Sequence, residues 1–298
     1  MAIETKIAGA SEYGRYMKVL VCGDPGSGKT LLSSTFPNPY FASAEGGMMS
    51  VASRHVPYMD VRSSDSLLEL GKVLKQKPEV REQILGVPVD TIVIDTIDEV
   101  QKIFMKERNK TQKNDSFSVK DYGWLNENLQ ALVRGFRNLD MNVIFTCHLK
   151  EQKDEDLGRV TYKPGMAGQI SDNIPAYVDL SLLLQARARA AIVDGRSERV
   201  VERYLITQPD SQYTWIKDRS GRLPGEIPVN FEDDYARLWD WIYGSIPEPG
   251  SALQVSDREI AVAGLKATTR ELSQDPLGPV EGVEIENKDG KVRIKESV

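Results

Sequence analysis

Gly23-Asp24-Pro25-Gly26-Ser27-Gly28-Lys29-Thr30 is the stretch on which the reading of this 298-residue chain turns. Its spacing is G-x-x-x-x-G-K-[ST], and what flanks it matters as much as its letters. Before it, Met17 to Cys22 form a short apolar run broken only by Lys18, which suits a buried parallel strand. After it, a helical stretch starts at Lys29 and stops near Phe36-Pro37. Between the two, glycines let successive backbone N–H groups turn inward around an anion, and the helix N-terminus adds partial positive charge. A lysine and a hydroxyl closing such a loop suit phosphate oxygens and the cation that travels with them: Lys29 for β- and γ-phosphates, Thr30 for Mg²⁺.

Outward from the loop, apolar strands alternate with amphipathic helices. Tyr40 to Ala44 reads as the second strand, and Ser64 and Asp65 as the cap of a helix turning Leu67, Leu68, Val73 and Leu74 inward. Pro88 leads into Thr91-Ile92-Val93-Ile94-Asp95, an apolar strand ending in a carboxylate placed to hold magnesium, usually through water. A longer helix sets Leu125, Leu129, Leu132, Val133 and Phe136 on one face, and Asn142 to Cys147 is the next strand. The alternation predicts an α/β fold, a mostly parallel sheet flanked by helices. Past Asp172 the pattern changes to strands: Tyr177 to Leu184, Arg199 to Ile206 and Tyr213 to Ile216, with Asp194-Gly195 as a hairpin turn. Asn230 then caps a helix carrying Phe231, Tyr235, Leu238, Trp239 and Ile242, closed by Gly244.

Pro247, Pro249 and Gly250 mark a linker, so the chain divides into an N-terminal segment (1–16), a core (17–244) and a C-terminal appendage (245–298). Within the appendage Asp257 to Leu272 is weakly helical. The alternation around Lys288-Asp289-Gly290 reads equally as a terminal hairpin or as disorder. The net charge of −6 argues against a surface coated in basic residues, though not against a local basic patch. Cys22 and Cys147 each lie inside an apolar run and read as buried small hydrophobes in a reducing cytoplasm. No signal peptide shows, and no apolar run nears the roughly 18 residues of a membrane span.

Many ATPases place their hydrolytic glutamate directly after the strand-end aspartate. Here that place is Thr96, so the base must come from elsewhere. Phe41-Ala42-Ser43-Ala44-Glu45 supplies one: a strand ending in a glutamate, directly after the loop's helix, resembles the RecA/RadA superfamily of P-loop ATPases. Thr91 to Thr96 resembles that family's Walker B strand, and Val143 to His148 its γ-phosphate-sensing strand. Glutamine is common where this chain has His148, which is a sensor or a satisfied strand-end histidine. Lys217-Asp218-Arg219-Ser220-Gly221 is similar to the K-N-R-F-G segment of RadA-type proteins. The resemblance spans roughly Met17 to Pro228 and is greatest to short phage-encoded RecA cores that act in single-strand annealing and recombination.

The resemblance implies ATP and Mg²⁺ as cofactors, Glu45 as the base that activates water, and Lys217 and Arg219 as residues reaching a neighbouring subunit's phosphates. It implies a filament or ring of identical subunits, single-stranded DNA as partner, a single-strand-binding protein as a further one, and a bacterial host's cytoplasm as compartment. It puts the first DNA loop between Lys102 and Lys120, where six basic residues stand against two acidic ones, with Lys106, Arg108, Lys110 and Lys113 foremost. Asn109 to Ser118 reads as loop. Lys150 to Ile170, without periodicity and rich in glycine, is the second, with Lys150, Lys153, Arg159 and Lys163 for phosphates and Tyr162 for stacking on a base. Three other classes compete: a helicase loader or helicase-like motor on the same core, a nucleotide kinase, and a nucleotide sensor that does not hydrolyse.

Overall fold

A computed structural model describes residues 16–112, 117–154, 158–193, 196–244, 283–288 and 291–296. It divides into two compact units, Met1–Gly244 and Ser245–Val298. In the first, a nine-stranded sheet runs in the order β11-β9-β8-β1-β5-β4-β2-β3, with β10 also on β8. The six strands from β8 to the β3 edge are β8 (Leu180–Val193), β1 (Lys18–Cys22), β5 (Asn142–Cys147), β4 (Thr91–Asp95), β2 (Pro39–Ser43) and β3 (Tyr58–Asp60), all mutually parallel. β9 (Arg196–Ile206), β10 (Lys217–Asp218) and β11 (Glu226–Pro228) add antiparallel pairs at the β8 edge.

Strand residues alternate between two cores, as a pleated sheet covered on both faces requires. Leu20, Cys22, Ile92, Ile94, Val143 and Phe145 face one core. It is closed by helices α2 (Ser64–Leu74), α4 (Ile97–Gln112), α5 (Val119–Arg137) and α6 (Ile170–Tyr177). Val19, Val21, Val93, Ile144 and Leu182 face the other, under Leu32 of α1 (Lys29–Ser33) and Leu238 and Ile242 of α7 (Asp234–Tyr243). The short α3 (Pro78–Leu85) follows α2. Leu125, Leu129, Leu132, Val133 and Phe136 are all buried on α5, as their spacing predicts, and both cysteines are buried and unpaired.

Several local expectations are corrected. Ser63, not Ser64, caps α2, and Leu70 is buried where Leu68 is exposed. Residues to Tyr177 are helical, so the strand expected from Tyr177 starts at Leu180. Tyr213 to Ile216 is not a strand, because that stretch turns ahead of β10. Asn230 is not the cap of α7. Its side chain instead accepts from Glu232 and Asp233 N–H (2.8 and 3.3 Å) in a turn one step earlier. Val193 pairs with Arg196, which makes β8 and β9 one long hairpin with a two-residue connection.

In the second unit, β12 (Val283–Lys288) and β13 (Lys291–Glu296) pair antiparallel, the hairpin alternative of the sequence. The helix expected at Asp257–Leu272 lies outside the described residues, as does the segment before Tyr16.

Candidate nucleotide site

Parallel register brings four strand ends to one edge. Cys22 pairs with Cys147, Ile94 with Phe145 and Ser43 with Asp95. The residues that follow, Gly23, His148, Thr96 and Ala44-Glu45, therefore emerge together at the carboxyl edge of the sheet. Backbone bonds lock the edge, from Gly23 N–H to the Cys147 carbonyl (3.2 Å) and from Ala44 N–H to the Asp95 carbonyl (2.7 Å).

Only glycine suits two positions of the loop. A Cβ on Gly23 would lie 2.5 Å from the Leu184 carbonyl oxygen and 2.7 Å from Ser27 Oγ. Gly28 has φ +105°, and a Cβ there would meet the Phe231 ring at 2.5 Å. Asp24, Pro25 and Gly26 are exposed at the loop's tip, and Ser27 Oγ is buried with no hydrogen-bond partner among the described residues. Lys29 is buried, its ammonium donating to the Gly23 and Asp24 carbonyls (2.9 and 3.1 Å). Thr30 donates to Asp95 Oδ2 at 2.8 Å, and Thr146 donates to Asp95 Oδ1. A hydroxyl and a carboxylate in contact beside an N–H cradle are the donor set a phosphate-bound Mg²⁺ takes, since that ion keeps several waters rather than filling a protein cage. Among the described residues no group of three or more His, Cys, Asp or Glu forms such a cage. The residues fit the group.

Glu45 and His148 meet: Nε2 lies 3.4 Å from Glu45 Oε1, with the glutamate side chain 39% exposed. Behind them stands Asp98, in the first turn of α4. Its Oδ1 accepts the His148 backbone N–H (3.1 Å), and its Oδ2 lies 3.0 Å from His148 Nδ1. Burial alone would raise the Asp98 carboxyl, but the bonds from His148 outweigh it and hold it down at about 2. The hydrogen bond to Asp98 raises the imidazole, against the opposing effects of burial and Lys29.

The bond from Thr30 to Asp95 crosses over β5 to tie the loop's helix to the acidic strand, and it makes this core that of a P-loop nucleoside triphosphatase. A family model described as an AAA domain matches residues 15–220, and the chain belongs to that family. No curated protein matches the chain as a relative.

Sequence reasoning passed over three residues here. Asp98 carries no motif of its own in the sequence, because only the β4–β5 register puts it behind His148. Arg203 donates to the Ser27 carbonyl (3.0 Å) and lies over the Phe231 ring (5.5 Å from the centroid). Arg54 holds the Phe231 carbonyl and Ser34 Oγ. None of these long-range contacts leaves a local signal in sequence.

Lys217 and Arg219 lie elsewhere. Lys217 pairs with Ser181, toward the amino-terminal end of β8 and away from the loop. Its ammonium donates to the Pro175 and Val178 carbonyls at the end of α6, a desolvating place that lowers its pKa. Arg219 pairs with Asp179 at 2.9 Å and is 58% exposed.

The two basic segments differ from their expected form. α4 continues through Gln112, so Asn109–Gln112 is helix rather than loop, and Lys113 lies outside the described residues. Lys106 and Lys110 are exposed on that helix. Arg108 is occupied: it pairs at 3.0 Å with Asp121, the buried carboxylate of the α5 capping box, and lies over the Trp124 ring. The segment Lys150–Ile170, which shows no periodicity in sequence, is largely a hairpin of β6 (Leu149–Asp154) and β7 (Arg159–Pro164). Lys150 donates to the Met166 carbonyl, Lys153 pairs with Glu151, and Lys163 pairs with Asp172. Arg159 is exposed, and Tyr162 stacks on Tyr213 with centroids 5.3 Å apart.

Proposed function

We propose that this chain hydrolyses ATP and uses the cycle to bind single-stranded DNA, as a recombination or annealing ATPase working in homo-oligomers. The observation that carries the reading is Glu45 at the sheet's carboxyl edge, just past the strand beside the acidic strand, facing His148. The two carboxylates behind the cradle, Asp95 and Asp98, are engaged elsewhere. Asp95 is engaged at both oxygens, and Asp98 is taken up by His148.

In this mechanism the loop N–H groups and Lys29 bind the phosphates, and Thr30 and Asp95 would hold Mg²⁺, which neutralises charge on the β- and γ-oxygens when bound. Glu45 accepts a proton from water as that water's oxygen bonds to the γ-phosphorus and the bond to the bridging oxygen breaks, leaving ADP and phosphate. Lys106 and Lys110 on α4, and Arg159 with the Tyr162–Tyr213 stack on the β6–β7 hairpin, supply the cation-and-aromatic pairing that suits a single strand.

Phosphate release with and without single-stranded oligonucleotide, followed by a fluorescence assay of complementary-strand annealing, tests this. Stimulation by DNA together with faster annealing supports the reading. Turnover indifferent to DNA sinks the DNA part of it, and stimulation without annealing points to a motor or loader instead.

A further inference from the structure

Asp98 has no part in the phosphate cradle or in the proton transfer just described, yet its carboxylate is 5% exposed and bonded chiefly to one residue, His148, with Thr96 as a lesser partner. The His148 backbone N–H can only donate, so it fixes Oδ1 as an acceptor and turns Oδ2 toward the ring. With Asp98 ionised, Nδ1 at 3.0 Å must carry a proton. The state of the ring then depends on Nε2 alone. In a neutral ring Nε2 would present a lone pair to Glu45 Oε1 at 3.4 Å, acceptor against acceptor. Protonated, it donates. Two carboxylates from two elements, Asp98 on α4 and Glu45 after β2, favour the charged ring, and Lys29 on α1 opposes it.

We propose that Asp98 is a positioning residue that keeps His148 an imidazolium with its Nε2–H directed at Glu45 and the phosphate side of the site. The pairing gives the histidine a donor that an uncharged ring held at Nδ1 would lack. The part toward the γ-phosphate rests on the ATP-hydrolysis reading, whereas the charge and direction of the ring do not.

The chain has two histidines, His55 and His148, so ¹⁵N- and ¹³C-labelled imidazole spectra of the nucleotide-free protein resolve the matter, with His148→Gln assigning the signals. The wild type should show His148 charged at neutral pH, with a midpoint above the ordinary 6.5 and an Nδ1–H tautomer once deprotonated. In Asp98→Asn the amide oxygen keeps the backbone N–H, which places the NH₂ against Nδ1. The midpoint should fall and the neutral ring should switch to the Nε2–H tautomer. Glu45→Gln, at a half-open position that does not threaten folding, should lower the midpoint and leave the tautomer alone.

A wild-type His148 that is mostly uncharged at pH 7 overturns the proposal, as does an Asp98→Asn protein with unchanged midpoint and tautomer. If Asp98→Asn gives no dispersed spectrum, an unchanged midpoint in Glu45→Gln overturns it. Spectra taken without nucleotide leave this result standing should ATP hydrolysis fail to appear. Conversely, active wild type with an uncharged His148 refutes this proposal and spares the ATPase.

Discussion

Glu45→Gln separates the base from its neighbours most sharply. The substitution keeps the side chain's size at a position 39% exposed, and the backbone bond from Glu45 N–H to the Asp95 carbonyl (3.3 Å) is untouched. Binding of ATP and of a slowly hydrolysed analogue should therefore match wild type. Turnover should drop by roughly 10²–10⁴, the usual worth of general-base assistance, or about 3–5 kcal/mol of barrier at 1.36 kcal/mol per decade. The control is Glu99→Gln. Glu99 pairs with the exposed Lys102 at 2.5 Å, and its removal should leave turnover within a few-fold. Single-turnover phosphate release, run beside fluorescent-nucleotide binding, measures both. Unchanged hydrolysis in Glu45→Gln with loss in Glu99→Gln would move the base to α4 and refute the mechanism.

Lys29→Ala should abolish nucleotide binding or turnover, since a buried charge in the cradle has no substitute, and wild-type phosphate release in that variant counts against the loop's role. Lys106→Ala/Lys110→Ala should weaken single-strand binding and reduce the log–log salt slope by about 1.4, at roughly 0.7 per phosphate contact. An unchanged slope would make this face of α4 ordinary solvated surface. For Asp98, folding lowers the pKa from 3.8 to about 2, so it contributes stability above 3.8, about 2 kcal/mol, that is lost as pH falls through about 2. Asp98→Asn should be less stable than wild type at pH 7 in urea, and the gap should close toward pH 2. Arg219→Ala, an exposed change costing at most about 1 kcal/mol of stability, should cut turnover on the order of 10³-fold if the arginine acts on a neighbour's phosphates. Mixing it with Lys29→Ala should then restore activity toward about a quarter of the interfaces of a random assembly. Recovery of nothing, in proteins shown to co-assemble, makes Arg219 a cis or structural residue.

What was legible in the sequence was whatever is local. The loop, its strand and its helix are contiguous, so Lys29 and Thr30 were readable from spacing, and the α5 face was readable from its 3.6 period. Asp95 was readable as a strand end, and Glu45, expected to end its strand, lies two residues past the end of β2 at the same edge. The lost details share a cause. Leu68 and Leu70 differ only in which side of the helix meets the sheet, which depends on how α2 docks. The β6–β7 hairpin escaped notice because Leu149–Asp154 is polar on both faces, so no alternation marked it as a strand. Arg108 looked like one of a row of free cations. Its partner Asp121 lies thirteen residues on, in another helix, and sequence distance said nothing of that contact.

The placement of α4 joins the two halves of the proposed function. Its first turn carries Asp98 against His148, and its exposed face carries Lys106 and Lys110. At 1.5 Å per residue, Asp98 and Lys110 are separated by about 18 Å of one continuous helix. Gln101 fixes that helix to the segment after β7, exchanging hydrogen bonds with the Ala167 N–H and carbonyl (2.7 and 3.0 Å). A strand of DNA drawing on the lysines and on the hairpin would thus pull on elements already bonded to each other. Under the proposed reading, α4 is the continuous element that links those lysines to the carboxylate holding His148.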